Sequence, residues 1–135
     1  MRRAGLLVTV LAMFGALVPF ADASRAPTKS ERAAIKRVAM KKCERGGAPN
    51  PCRFHRARVS TKNARYAWAD VTTEGFSGVL LKRANTKTRR FKVIGTQGGG
   101  IGDCAEWRKL APRAVLKDLR IYGLTDSSGA TGSCG

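Results

Sequence analysis

The chain has 135 residues and a formal net charge of +17 at pH 7, because 26 Lys and Arg stand against nine Asp and Glu. This length makes one domain with one modest core. The only histidine is His55, which excludes mechanisms that need a histidine pair, and the absence of a Cys-x-x-Cys spacing argues against a zinc site.

Residues 1–23 have the order of a secretory signal peptide. Two arginines precede an apolar run at 4–21, and residues 21–23 (Ala-Asp-Ala) form a small-x-small cleavage site. The alternative is an uncleaved anchor, since the run approaches the roughly 18 residues of a membrane span. Pro19 and the cleavage site favour removal. We therefore expect a secreted protein, extracellular or at the cell envelope, that begins at Ser24, has no membrane span and carries a net charge of +16 once two arginines and one aspartate are removed.

All four cysteines lie beyond the signal peptide, where oxidation is permitted, and four cysteines allow three pairings. We predict Cys43–Cys52 and Cys104–Cys134, because each pair closes a loop rich in Gly, Pro or Ser. Loop-closure entropy gives about 2.7 kcal/mol for the first and about 3.7 kcal/mol for the second. With every thiol in a disulfide, no cysteine nucleophile remains.

The first predicted element is an amphipathic helix over residues 30–43. Residues 24–27 before it are expected to be a disordered basic leader. Thr28 and Glu31 have the spacing of a capping box, and apolar residues then recur at helical spacing with a basic outer side. The alternative, a helix on a membrane surface, is disfavoured because the apolar stripe lacks Trp and Phe. Residues 44–51 form a turn.

Four strands are predicted next, at residues 53–61, 65–73, 79–83 and 90–95, from alternating apolar and polar residues. Phe54 has the wrong parity for the core, and a β-bulge at the next two residues would return it there. Short polar connections between successive strands favour an antiparallel meander.

The C-terminal part begins with a Gly-rich segment at 96–103, which matches neither the dinucleotide fingerprint nor the phosphate loop. Pro112 opens a short helix, and residues 125–135 form a Ser/Gly-rich tail. The sequence therefore predicts one α+β domain over residues 28–124. An N-terminal helix packs on a four-stranded antiparallel meander, with a short C-terminal helix and two disulfides, in the general shape of a cystatin-like or nuclear-transport-factor-like fold.

Basic residues crowd the two predicted hairpins, and they would share one side and end of the sheet. Such a patch would bind a polyanion, either nucleic acid or a cell-wall polymer, by counterion release, with Tyr66 and Trp68 available for stacking. The basic surface of the first helix is expected to lie behind the sheet. The alternative is that the charge only maintains solubility. The candidate polyanion-binding residues are Arg53, Arg56, Arg58, Lys62, Arg65, Arg83, Arg89, Arg90 and Lys92.

Two other functions fit single features of the chain. A secreted protease inhibitor would present the exposed Cys43–Cys52 loop to a protease, although no reactive-site motif is visible. A small secreted ribonuclease would use His55, a carboxylate (Glu74 or Glu106) and an arginine. The expectation that we favour is a basic, monomeric, non-catalytic domain without cofactor or metal.

Several segments also resemble known sequences. They are R-V-S-T-K-N-A-R-Y-A-W-A at 58–69, V-L-L-K-R at 79–83, R-F-K-V-I-G-T at 90–96, the cysteine at 104 and A-P-R-A-V-L-K-D-L at 111–119. In this order they resemble a group of small exported proteins of high-GC Gram-positive bacteria, over most of the chain after residue 23. The resemblance implies export and the fold, and it implies no activity.

Overall fold

The computed structural model describes residues 24–47, 50–98, 100 and 102–135, so the predicted signal peptide lies outside the described residues. The α+β prediction is confirmed: the sheet is an antiparallel meander in the order β1-β2-β3-β4. The elements of the described residues are α1 (Lys29–Arg45), β1 (Arg53–Val59), β2 (Tyr66–Thr72), β3 (Phe76–Arg83), β4 (Phe91–Gly98), α2 (Cys104–Leu110), α3 (Arg113–Asp118), β5 (Tyr122–Leu124) and β6 (Thr131–Ser133).

Helix α1 begins with the predicted capping box. The Thr28 hydroxyl accepts the Glu31 amide hydrogen at 3.2 Å, and the Glu31 carboxylate accepts that of Thr28 at 2.9 Å, so two free amides of the first turn are bonded. Ala34, Ile35 and Ala39 are buried against one face of the sheet. The two alanines let the helix lie close to β2, whose Ala and Val residues face it.

A β-bulge in β1 is confirmed at His55, because Phe54 pairs with Val71 whereas Arg56 pairs with Asp70. The extra residue returns Phe54 to the side of α1, where it packs on the core and the Arg32 guanidinium lies 4.9 Å from its ring centre.

The opposite face of the sheet is also covered, which the sequence analysis did not predict. Helices α2 and α3 build a second core there around Trp68, Leu80, Trp107 and Leu116. Tyr66 is only 6% exposed and Trp68 only 4%. The prediction that these two rings could stack on bases is therefore wrong, because the C-terminal layer buries both.

Helix α2 was missed by the sequence analysis. Asp103 caps it, with a carboxylate oxygen that accepts the Ala105 amide hydrogen at 2.8 Å. Trp107 then packs on β4 at Gly95, where a Cβ atom would lie 2.7 Å from the indole ring. The glycine thus makes room for the helix, and the Trp68 and Trp107 rings meet edge to face with centres 5.7 Å apart.

Both predicted disulfides are present, with Cα–Cα distances of 6.1 Å for Cys43–Cys52 and 4.9 Å for Cys104–Cys134. The last cysteine is buried, and the segment before it forms strand β6 against β5. The predicted tail is therefore part of the second layer, because β-pairing and burial fix it.

The predicted leader is ordered at Arg25 rather than disordered. Its backbone exchanges two hydrogen bonds of 2.9 Å with Val59, and its guanidinium pairs with Glu31.

Another buried carboxylate, Asp118, accepts hydrogen bonds from the Ser60 hydroxyl at 2.8 Å and the Thr61 amide at 2.7 Å, which ties α3 to the β1–β2 turn. Among the described residues, no helix has the length and apolar character of a membrane span.

A candidate anion-binding groove at the edge of the sheet

The sequence analysis expected the nine candidate basic residues to share one side and end of the sheet. This expectation is wrong. Arg53 lies at the start of β1, beside the β2–β3 turn, and Arg90 precedes β4 at the opposite end. Lys62 lines a small cavity of about 210 Å³ beside α3. Arg89 faces the first half of α1, across a cavity that Arg37 also lines.

Arg83 is internal, and its guanidinium is paired with a carboxylate. It is 4% exposed, its Nη2 lies 2.9 Å from a Glu31 oxygen, and its guanidinium stacks 4.9 Å from the Phe91 ring centre. Its Nε also donates to the Ala64 carbonyl oxygen at 3.0 Å. Arg83 therefore holds α1, the β1–β2 turn and the β3–β4 turn together, and we assign it to the fold rather than to a ligand.

Arg56 and Arg58 share one carboxylate, that of Asp70. Arg56 Nε lies 2.6 Å from it and Arg58 Nη2 lies 3.8 Å away, while Trp68 Nε1 donates to the same carboxylate at 2.7 Å. Burial lowers the pKa of the Arg58 guanidinium from its ordinary value. These arginines face the C-terminal layer and are partly compensated, so they form no open anion site by themselves.

A basic cavity lies between α1 and the edge strand β4. Its volume is about 460 Å³, and both apolar and cationic side chains line it. Its lining residues are Arg37, Val38, Lys41, Lys42, Arg45, Phe91, Lys92 and Val93.

A second basic cavity of about 400 Å³ adjoins it on the other side of β4, and Lys92 lines both. There the Lys82 ammonium lies 5.1 Å from the centre of the Tyr66 ring, which holds it beside the cavity. Its lining residues are Arg65, Lys82, Arg83, Ala84, Thr88, Arg90, Lys92 and Ile94. We call the two cavities together the β4-edge groove.

Helix periodicity separates the cations of α1 into two flanks. Arg37, Lys41 and Arg45 are four residues apart and lie on the flank toward β4. Arg32 and Lys36 lie on the other flank, over the Phe54 ring of β1. The expectation that the helix surface lies behind the sheet is therefore wrong for Lys41, because the axis of α1 places this flank along the sheet edge.

Most cations of the groove form no ion pair among the described residues. Among the described residues, no Asp or Glu lines either cavity. Within the described part of the chain, eight lining cations form no ion pair: Arg37, Lys41, Lys42, Arg45, Arg65, Lys82, Arg90 and Lys92. The carboxylates Glu31, Asp70 and Glu106 are instead paired with other cations. The groove therefore concentrates positive potential between low-dielectric walls.

The proposed ribonuclease residues are partly brought together. His55 Nε2 lies 2.6 Å from the Thr72 hydroxyl, and Thr72 lines a cavity of about 420 Å³ with Arg53 and Glu74. Glu106 is not part of this cluster: it lies on α2, where it pairs with a lysine at 2.6 Å. The tip of the Cys43–Cys52 loop, at residues 48 and 49, lies outside the described residues.

In the residues that the structure describes, no group of three or more His, Cys, Asp or Glu side chains could hold a metal ion. Comparisons of the chain with protein-family models, with curated proteins and with solved structures find no match.

Proposed function

We propose that the protein is an exported, non-catalytic domain that binds an anionic macromolecule in the β4-edge groove. The observation that carries this proposal is that, among the described residues, eight cations without an ion pair and no carboxylate line two adjoining cavities. Export is supported by the signal sequence and by the two disulfides, which persist in oxidising compartments.

The arrangement of the charges favours binding over solubility alone. Solubility requires net charge, and scattered cations beside carboxylates supply it equally well. Here Asp70 and Glu106 pair with cations elsewhere, and among the described residues the linings of both cavities along β4 contain cations and no carboxylate. Concave basic surfaces raise the local concentration of anions and steer their association.

The test compares two triple variants of equal charge. In the groove variant, Lys41, Arg45 and Lys92 are each changed to Gln; in the control variant, Lys29, Arg32 and Lys36 are changed. Affinity for labelled single-stranded RNA and for polyphosphate is measured by fluorescence anisotropy over a series of salt concentrations. Each lost phosphate contact should flatten the slope of log affinity against log salt by about 0.7 on a single strand, so the groove variant should lose about 2.

The control variant should keep nearly the full slope, because its lysines and arginine lie on the outer side of α1 or on the flank over Phe54. Equal losses in the two variants, or an affinity that does not depend on salt, would show that the charge serves only solubility.

A second candidate function is supported by the cluster at Thr72. In this proposal His55 and Glu74 act as the acid and base of RNA cleavage, and Arg53 holds the phosphate. Purified protein should then cleave a labelled RNA, and both His55→Gln and Glu74→Gln should lower the rate by about a hundredfold or more, whereas Glu106→Gln should not. Intact RNA after long incubation with the unmodified protein would eliminate this candidate.

A further inference from the structure

Strand β4 leaves one edge of the sheet open. Among the described residues it pairs with β3 alone, whereas the other edge strand, β1, is partly covered where Arg25 bridges to Val59. An open edge carries backbone N–H and C=O groups that have no partner in the sheet, so it can accept another strand.

The groove along this edge is apolar as well as basic. Val38, Phe91 and Val93 line it on the side of α1, and Ala84 and Ile94 line it on the other side. A phosphate chain would satisfy the cations but would bring no apolar groups to these residues. Nucleobases have no exposed ring to stack on here, because Phe91, like Tyr66, is buried.

We propose that the occupant of the β4-edge groove is an extended segment of a partner polypeptide, acidic and apolar in alternation, which adds to β4 as a fifth strand. This inference rests on the proposed function, because it names the partner of the same groove. Its backbone would bond to the open edge of β4, and its side chains would alternate between the two cavities. Because alternate side chains of a strand lie on opposite faces, the carboxylates would reach Lys41 in the cavity beside α1, and the apolar side chains would contact Ile94 in the other cavity.

The same charges disfavour a second copy of this chain as the fifth strand. Lysine within an edge strand is a common protection against edge-to-edge pairing, and Lys92 occupies such a position. Two copies would bring two strongly basic surfaces together, at an electrostatic cost that an acidic segment does not have.

The binding test uses labelled Glu-Val repeat peptides of the same length as β4, which has eight residues. In a strand, alternate amides point to opposite edges, so N-methylation of every second residue blocks one edge only. The unmethylated peptide should bind, and so should the peptide whose methyl groups lie on the edge away from β4. The peptide methylated at the other set of residues should bind at least about tenfold more weakly.

Charge specificity is tested with the double variant Lys41→Glu and Lys92→Glu. This variant should no longer bind the Glu-Val peptide and should instead bind a Lys-Val peptide. The control double variant Arg32→Glu and Lys36→Glu should keep the original preference. Sedimentation of the free protein should show a monomer, and a dimer that the Glu-Val peptide does not dissociate would assign the edge to a second copy and overturn the inference.

The outcomes separate this inference from the proposed function. If polyphosphate binds through Lys41 and Lys92 while the Glu-Val peptide does not bind, the groove binds anions but not as an added strand, and the inference fails. If both methylated peptides bind as well as the unmethylated peptide, no strand is added, and the inference also fails. If neither polyphosphate nor peptide binds, the proposed function fails with it.

Discussion

The buried carboxylate of Glu31 should make a large and pH-dependent contribution to stability. It accepts hydrogen bonds from two nitrogens of Arg25, at 2.8 and 2.9 Å, from Arg83 at 2.9 Å and from the Thr28 amide. The bonds from the Arg25 guanidinium are the main cause that lowers the pKa of the Glu31 carboxyl from 4.5 to about 2. A fall of this size corresponds to about 3 kcal/mol of stabilisation of the charged form.

The sign of the pH dependence follows from the lowered pKa. The stabilisation is fully present above pH 4.5, the ordinary pKa, and is lost as the pH falls toward about 2, where the folded protein binds the proton. Glu31→Gln removes the charge at every pH and leaves Arg83 buried without a carboxylate partner. The variant should therefore unfold about 3 kcal/mol more easily at pH 7, and the difference from the unmodified protein should shrink steadily below pH 4.5.

The assay is urea denaturation followed by far-ultraviolet circular dichroism at a series of pH values between 7 and 2. Other carboxylates titrate in both proteins, so their effects cancel in the difference. Glu106→Gln is the matched control, since Glu106 forms an exposed ion pair with Lys109. Its loss should leave the urea midpoint of unfolding unchanged. A Glu31→Gln difference that is below about 0.5 kcal/mol at pH 7, or that is constant with pH, would refute the reasoning.

Two further predictions concern the fold and the processing of the chain. Gly78→Ala should destabilise the protein by about 1–3 kcal/mol in thermal unfolding, because a Cβ atom there would overlap the Trp68 ring. Gly100→Ala, where a Cβ atom would meet nothing within 4 Å, is the comparison and should cost less. Mass spectrometry of the exported protein should find Ser24 at the amino terminus, and an intact residue 1 in a membrane fraction would contradict removal of the signal peptide.

The first layer of the fold was predictable because its signals are local. The capping box at Thr28 fixes the start of α1, alternation fixes the strands, and the wrong parity of Phe54 indicated the bulge. The disulfide partners followed from the loops that they close. None of these inferences required knowledge of contacts between distant parts of the chain.

The second layer was missed because its evidence is mostly non-local. Asp103, Trp107 and Leu110 carried a short helix signal, but seven residues after a Gly-rich segment give little periodicity. Without that helix, Trp68 could be read as an exposed ring on an uncovered face. Only the packing of the C-terminal residues on the sheet shows that the ring is internal.

Part of the candidate groove could be predicted from the sequence. The sequence alone divides the cations of α1 into two flanks, since Arg32 and Arg37 lie at different angles around a helix. Which flank meets the open edge depends on how α1 lies across the sheet, and this is set by tertiary packing. Lys92 was a candidate from the sequence, but the sequence could not show that Arg83 is buried and paired with Glu31.

Because Trp68 and Trp107 contact each other beneath the C-terminal layer, intrinsic tryptophan fluorescence reports on that layer only. These are the only two tryptophans of the chain, and both are buried between the sheet and α2. Intrinsic fluorescence should therefore follow the detachment of the C-terminal layer and respond little to a ligand beside α1. If reduction of Cys104–Cys134 loosens that layer first, emission should shift to longer wavelength while most of the helical signal of α1 remains.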